Sequence, residues 1–120
     1  MTNITAICPQ LPVANVTASS AWYVRALGFK LLSAYPAMAI LSRDGCELHL
    51  WQCDDPAIAK MSSAYFRSTE VDALYVTMQG ASEGGRIKAP ENRAWGMREF
   101  YIWDPDGNLL KFGQPVQEAM

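Results

Sequence analysis

The chain has 120 residues, which is the size of one domain with enough buried surface for a modest core. Half of the residues are hydrophobic and 18% are charged, a composition that argues against disorder. The formal net charge of −2 argues against nucleic acid as the main partner, because phosphate binding needs clustered Lys and Arg, and it mildly favours neutral or cationic ligands.

Cysteine usage and the chain start predict a protein of the cytoplasm. Cys8, Cys46 and Cys53 form no Cys-x-x-Cys pair, and an odd count is a poor basis for a disulfide framework. The first residues lack the charged segment and the long apolar run of a signal peptide. No apolar run approaches the roughly 18 residues that a membrane span needs. We therefore expect reduced thiols, a cytoplasmic location and no membrane partner.

The first half of the chain predicts a strand, a helix and three further strands. Residues 4–13 are apolar and β-prone, but two prolines restrict them to an edge strand. Asn15 or Thr17 can cap a helix that ends at Leu27, with Gly28 as its C-terminal stop. Three strands then follow, separated by a bend and a tight hairpin loop, at residues 29–34, 38–42 and 46–53.

The second half repeats this order of elements. Residues 57–62 read as a loop or a short helix between the halves. A strand is predicted at residues 65–68, and residues 69–72 resemble a capping box that starts a helix stopped by Gly80. The remaining elements are one strand at residues 86–90 and a closing hairpin within residues 95–112.

The closing hairpin carries the strongest functional signal. Asp104-Pro105-Asp106-Gly107 has the residues that a type I turn prefers. On either side the pattern alternates with period two, which places apolar residues on a core face: Phe100, Ile102, Leu110 and Phe112. The opposite face mixes aromatic and charged residues: Glu99, Tyr101, Trp103 and Lys111. Such a mixture is more typical of a binding face than of a solvated one.

A set of short motifs, in this order, resembles one known superfamily. They are Leu11-Pro12-Val13, Trp22-Tyr23, Leu27-Gly28-Phe29, Trp95-Gly96, Arg98-Glu99-Phe100 and Asp104-Pro105-Asp106-Gly107-Asn108. Together they resemble the bleomycin-resistance branch of the vicinal-oxygen-chelate (glyoxalase/bleomycin resistance/dioxygenase) superfamily.

The resemblance implies an α+β fold for the single domain 1–120. Two βαβββ repeats, about residues 4–53 and 63–113, would form a half-open, cup-shaped mixed sheet with helices outside and ligand inside. It also implies a homodimer in which each cup is completed across the interface, with two equivalent sites.

The resemblance also implies where a metal would bind in the enzymes of the superfamily. The corresponding positions fall near Cys8 on the first strand, His49 on the fourth, Ser63 at the start of the second repeat and Lys111 on the last strand. Serine is a poor ligand, and the lysine ammonium has no lone pair. A zinc site made by Cys8 and His49 would still lack the three or four ligands that zinc usually takes. We therefore expect no stoichiometric metal and no cofactor, with His49 as a hydrogen-bonding wall residue.

The pocket predicted from strand parity is aromatic, with a few polar groups. Its members are Glu47, His49, Trp51, Tyr65, Trp95, Glu99, Tyr101, Trp103 and Lys111. Aromatic faces stack on planar heterocycles, and the two glutamates would attract a cationic tail. The competing interpretation for each aromatic is core packing, which we favour for residues on helix-facing positions: Trp22, Tyr23, Tyr75, Phe100 and Phe112. A slip of one residue would reverse the assignment of faces.

These observations favour binding over catalysis. The sequence has no Gly-rich phosphate loop and no nucleophile elbow, and a dyad with its single histidine rests on geometry that sequence does not show. The leading hypothesis is a non-enzymatic protein that sequesters an aromatic, cationic antibiotic of the bleomycin type. The alternatives are a metal-dependent enzyme of the same superfamily, such as a glyoxalase, dioxygenase or thiol transferase, and a binder of an endogenous metabolite.

Overall fold

A computed structural model describes residues 2–116 as two four-stranded mixed sheets with three helices. The strand orders are β1-β4-β3-β2 and β5-β8-β7-β6, so the two halves have equivalent topology. The first half consists of β1 (Gln10–Val13), α1 (Val16–Leu27), β2 (Lys30–Tyr35), β3 (Met38–Arg43) and β4 (Cys46–Gln52). The second half follows α2 (Pro56–Ala59) and consists of β5 (Ser63–Arg67), α3 (Val71–Thr77), a 3₁₀ turn (Gln79–Ser82), β6 (Arg86–Asn92), β7 (Met97–Trp103) and β8 (Leu109–Pro115).

The first strand is shorter than the sequence predicts. β1 begins at Gln10, and residues 2–9 are in no strand, although the His49 amide donates to the Pro9 carbonyl at 2.9 Å. The side chains of Ile4 and Ile7 are 82% and 89% exposed. The prediction of a strand over residues 4–13 is therefore wrong for its first six residues. Its edge position is confirmed, because β1 pairs with β4 alone.

The two principal helices differ in how well the sequence predicts their ends. The Asn15 side chain accepts from the Ala18 amide at 2.9 Å, and Gly28 closes α1 with φ +74°, as expected. The capping box predicted for α3 is wrong, because the N-cap residue Glu70 makes no side-chain hydrogen bond to the helix. The amide of Val71 instead donates to the side chain of Gln114, which lies 43 residues away. Such a long-range partner leaves no local sequence signal.

One apolar core lies beneath both sheets on their helix-covered faces. α1 packs against β2, β3 and β4, whereas α3 packs against β6, β7 and β8, and the buried residues of both halves form one cluster. Phe112 stacks between Phe66 and Phe100, with ring centroids 4.7 and 4.6 Å apart. Phe100 and Ile102 are fully buried, which confirms the core face predicted for the closing hairpin.

A buried polar joint connects the two halves at the closing turn. The Tyr23 hydroxyl donates to Asp104 Oδ2 at 2.7 Å, and the Asn108 side-chain amide donates to the Pro12 carbonyl at 2.8 Å. Burial raises the pKa of Tyr23 well above its usual value, and the adjacent Asp104 charge raises it further. The backbone amides of Asp106 and Asn108 also donate to Asp104 Oδ1, as a turn opened by Asp requires.

This arrangement leaves one face of each sheet free of helices. Because the helix-covered faces share a core, the helix-free faces point away from that core. Within residues 2–116, no helix is long and apolar enough to cross a membrane.

Candidate ligand-binding site

The predicted pocket residues lie on the helix-free faces of the two sheets. Strand pairing places four side chains together on the first sheet, and we call them the first wall: Gln10, Glu47, His49 and Trp51. Five side chains share the equivalent face of the second sheet, and we call them the second wall: Tyr65, Glu99, Tyr101, Trp103 and Lys111. Trp95 precedes β7 and reaches the second wall through a hydrogen bond to Glu99.

Glu99 is the organising residue of the second wall. It is only 3% exposed, yet its carboxylate accepts hydrogen bonds from Tyr101 at 2.7 Å, Tyr65 at 2.8 Å and Trp95 at 3.3 Å. Burial raises the pKa of Glu99, but these hydrogen bonds and the positive charge of Lys111 outweigh it, so its net pKa lies below the usual value. The group is therefore a satisfied buried anion that fixes three aromatic side chains.

Two of these aromatic rings remain open to solvent. Tyr65 is 46% exposed and Trp95 is 64% exposed, although the polar tip of each ring is held by the same oxygen, Glu99 Oε2. Gly113 makes room for this geometry, because a Cβ at its position would overlap the Tyr65 hydroxyl. The result is an aromatic surface whose rings are positioned before any ligand arrives. We call Tyr65 and Trp95 the aromatic platform.

Arginines lie closest over the other two aromatic rings of the second wall, while Arg67 lies farther from the platform, with its guanidinium 5.6 Å from the centre of the Tyr65 ring. The Arg86 guanidinium lies 4.2 Å from the centre of the Trp103 ring, and the Arg93 guanidinium lies 4.8 Å from that of Tyr101. Both arginines are absent from the sequence-based site. Of the two, only Arg86 could have been found from the sequence, because it pairs directly with Trp103 across β6 and β7. Finding it would have required the register of these two strands, which depends on the length of the loop between them.

The first wall is more polar than the second. His49 Nε2 lies 3.0 Å from Glu47 Oε1, and its other ring nitrogen lies 3.4 Å from the Gln10 side-chain amide. Trp51, two residues along β4 on the same face, is 38% exposed. The expectation that His49 is a hydrogen-bonding wall residue agrees with these contacts. Cys8 adds a thiol to this group, since its sulfur lies within 4.8 Å of donor atoms of Glu47 and His49.

The two walls stay separate within one chain. Across residues 2–116, no hydrogen bond, ion pair or aromatic contact joins the first wall to the second. A cavity of about 580 Å³ lies between α3 and the β3–β4 hairpin, and Glu47 is the residue of the first wall that lines it. A ligand bound to one chain would therefore meet a single wall.

Side chains that can bind a metal lie close together in the first half of the chain. In the second half, the positions where the resemblance implies metal ligands hold residues that bind metals poorly. Cys8, Glu47 and His49 can each supply a ligand atom. In the second wall, Lys111 lies where the last-strand ligand was expected, and an ammonium repels a cation. The residues therefore do not fit a metal site shared between both repeats.

The fold and motifs match known proteins over nearly the whole chain. The family model of the Glyoxalase/Bleomycin resistance protein/Dioxygenase superfamily matches residues 4–112. A bleomycin resistance protein from Geobacillus stearothermophilus is 25% identical over 91% of this chain and 96% of that protein.

Two solved structures give the same match at the level of the fold. The bleomycin-binding protein of bleomycin-producing Streptomyces verticillus, complexed with copper(II)-bleomycin, is 26% identical with a TM-score of 0.85, covering 98% of this chain and all of that one. A bleomycin resistance determinant encoded on the transposon Tn5 is 27% identical with a TM-score of 0.81, covering 95% of this chain and all of that one.

Proposed function

Because the chain belongs to the glyoxalase/bleomycin resistance protein/dioxygenase superfamily, we propose that it is a binding protein that sequesters a planar aromatic, cationic antibiotic of the bleomycin type. Protection would come from lowering the concentration of free drug, without chemical change to it. The similarity to bleomycin resistance and bleomycin-binding proteins supports the ligand class.

The observation that carries this proposal is the aromatic platform. Tyr65 and Trp95 expose 46% and 64% of their surfaces, while both polar tips bind Glu99 Oε2. Fixing the rings in advance reduces the conformational entropy that a ligand must overcome on binding. Stacking of a planar heterocycle on such a ring contributes roughly 1–3 kcal/mol. The platform therefore suits a planar heteroaromatic group.

The cationic part of the ligand has to bind away from the platform. The Glu99 carboxylate is buried and its oxygens are occupied, and Arg86, Arg93 and Lys111 make the rest of the second wall positive. Glu47 on the first wall has a 45% exposed side chain and is the better partner for a positive charge. The ligand would thus lie with its aromatic end on the second wall and its cationic end toward a first wall.

A second copy of the chain brings two walls together. The first and second walls of one chain do not contact each other, so a site that uses both walls needs the first wall of one protomer to face the second wall of another. A two-fold arrangement produces two equivalent sites, each with one wall from each protomer. The exposed apolar residues Ile4, Ile7 and Trp51 are available for burial in this interface.

The proposal is tested by titrating metal-free and copper-loaded bleomycin against the intrinsic tryptophan fluorescence of the pure protein. We expect saturable quenching at one drug per chain. Trp95→Ala and Trp51→Ala should each weaken binding by roughly 5- to 150-fold, the equivalent of 1–3 kcal/mol of stacking. Trp95→Phe should keep most of the stacking while losing the hydrogen bond to Glu99.

Val24→Ala is the control, because Val24 is 42% exposed on α1, away from both walls. Its affinity should equal that of the unaltered protein. Mass spectrometry of the released drug should show an unchanged mass, whereas conversion of the drug would favour the enzyme alternative. Absence of quenching at high micromolar drug would refute bleomycin as the ligand, and a monomer at saturating drug would refute the two-wall site.

A further inference from the structure

Arg93 has two hydrogen-bond donors without an acceptor at the second wall. Its guanidinium lies over the Tyr101 ring, 4.8 Å from the ring centre, and its Nη1 atom forms an ion pair with Glu91 at 3.1 Å. Its Nε and Nη2 atoms are buried, and within residues 2–116 neither has a hydrogen-bond partner. A buried donor without an acceptor lowers stability, so these two atoms indicate a place where a ligand supplies the missing acceptor.

The two unpartnered atoms form the edge of the guanidinium that best fits a carboxylate. Nε and Nη2 point the same way, so they can donate two parallel hydrogen bonds to the two oxygens of one planar group. Arg98 shows this geometry in the same chain, since its Nε and Nη2 atoms donate to the two oxygens of Asp72 at 2.9 and 2.8 Å. We propose that the free edge of Arg93 is a subsite for a carboxylate, and that the second wall binds planar aromatic acids.

The charges around Tyr101 favour an anionic group. Lys88 on β6 and Lys111 on β8 pair directly with it across the sheet, and the guanidinium lies over its ring. The carboxylates of this region are already engaged, because Glu91 pairs with the guanidinium and with Lys88, while Glu99 holds its three aromatic donors. A ligand carboxylate would therefore meet three cations whose charges two carboxylates neutralise only in part.

The subsite lies beside the aromatic platform. Arg93 precedes Trp95 by two residues. The Tyr101 ring beneath the guanidinium donates through its hydroxyl to Glu99, which also holds both platform rings. A flat ring stacked on the platform can therefore direct an attached carboxylate toward Arg93. The guanidinium has to turn outward to meet it, which breaks the ion pair with Glu91, whose side chain is 53% exposed. Binding of aromatic acids thus rests on the platform of the proposed function and extends its ligands beyond cationic drugs.

Calorimetric titration of the drug-free protein with 2-naphthoate tests the subsite. The matched neutral ligand is 2-naphthamide, which keeps the ring and replaces the carboxylate by an uncharged amide. We expect the unaltered protein to bind 2-naphthoate about 10- to 150-fold more tightly than 2-naphthamide, the range that corresponds to hydrogen bonding between charged groups. Arg93→Gln should lose this preference and bind the two ligands with equal affinity.

Two further variants separate the hydrogen bonds from the charge alone. Arg93→Lys keeps the positive charge but not the two parallel donors, so it should recover only part of the preference. Arg25→Gln is the control, because Arg25 lies half exposed on α1, and this variant should bind 2-naphthoate like the unaltered protein. Circular dichroism of each variant separates loss of the subsite from loss of the fold.

Equal affinity of the unaltered protein for the two ligands would overturn the subsite, and so would a preference that persists in Arg93→Gln. Full recovery in Arg93→Lys would refute the two-donor contact. The outcomes are distinct from those for the drug. Bleomycin binding without a preference for 2-naphthoate would refute the subsite and leave sequestration standing, whereas a preference for 2-naphthoate without bleomycin binding would support the subsite and refute bleomycin as a ligand.

Discussion

Gly113→Ala tests whether Glu99 holds the aromatic platform in place. A Cβ at position 113 would overlap the Tyr65 hydroxyl and would lie 3.2 Å from Glu99 Cγ, so Tyr65 has to leave its hydrogen bond. The backbone itself tolerates alanine, because Gly113 is not among the residues with positive φ. A hydrogen bond to a charged group contributes about 1.5–3 kcal/mol. Because Tyr65 is half exposed, we expect a loss near the lower limit, about 1.5 kcal/mol.

Gly80→Ala is the matched control for this substitution. Its Cβ would meet the Ala26 Cα at 3.6 Å, an ordinary contact, so the variant reports only the general effect of replacing glycine. That effect is a gain of about 0.4–1 kcal/mol from the reduced entropy of the unfolded chain. Gly113→Ala should therefore unfold about 6 °C below Gly80→Ala in a thermal melt, at about 4 °C per kcal/mol for a domain of this size.

A double-mutant cycle separates this mechanism from a general packing defect. In a Tyr65→Ala background no hydroxyl remains to be displaced, so Gly113→Ala should cost much less than in the unaltered protein. The same substitution should weaken drug binding, because the displaced ring belongs to the platform. Equal melting temperatures for Gly113→Ala and Gly80→Ala would refute the proposed role of the Tyr65–Glu99 hydrogen bond.

Two further predictions concern buried charges. Tyr23→Phe removes the hydroxyl that donates to Asp104 at 2.7 Å and should lower the free energy of unfolding in urea by about 1.5–3 kcal/mol, whereas Tyr35→Phe, at a 56% exposed site, should be nearly neutral. The lowered pKa of Glu99 means that its ionised form stabilises the fold above the usual carboxyl pKa near 4.5. That stabilisation is lost as the pH falls through the lowered pKa, so the stability difference between the unaltered protein and Glu99→Gln should shrink in acid; a constant difference would contradict it.

The fold follows from sequence wherever the signal is local. Asn15 and Gly28 mark the ends of α1 because each bonds a partner within five residues of itself. The alternation around Phe100 and Ile102 identifies the core face because strand periodicity is also local. Two of the wrong predictions, the start of β1 and the cap of α3, depend on partners that are distant or absent. Residues 4–9 lie in no strand, with the Pro9 carbonyl alone among them bonded to β4, and Val71 bonds a residue of the last strand.

The site shows more clearly the same difference between local patterns, which the sequence predicts, and contacts with distant residues, which it does not. Strand parity placed Tyr65, Tyr101 and Trp103 on one face, and register confirms that grouping. Parity does not report what covers a ring, so the arginines over Tyr101 and Trp103 went unpredicted. It also does not report burial by neighbours. Glu99 was expected to attract a cationic ligand group, but three aromatic donors converge on it and exclude solvent.

The change in the role of Glu99 alters how specificity should arise. A solvent-exposed carboxylate would select ligands by charge and would be screened by salt. A buried one selects by shape, because its charge is used to hold Tyr65 and Trp95 in a fixed orientation. Stacking energy should then depend weakly on ionic strength, whereas the contribution of Glu47 should fall with added salt. Drug affinity that is abolished by moderate salt would therefore indicate that Glu47, rather than the platform, dominates binding.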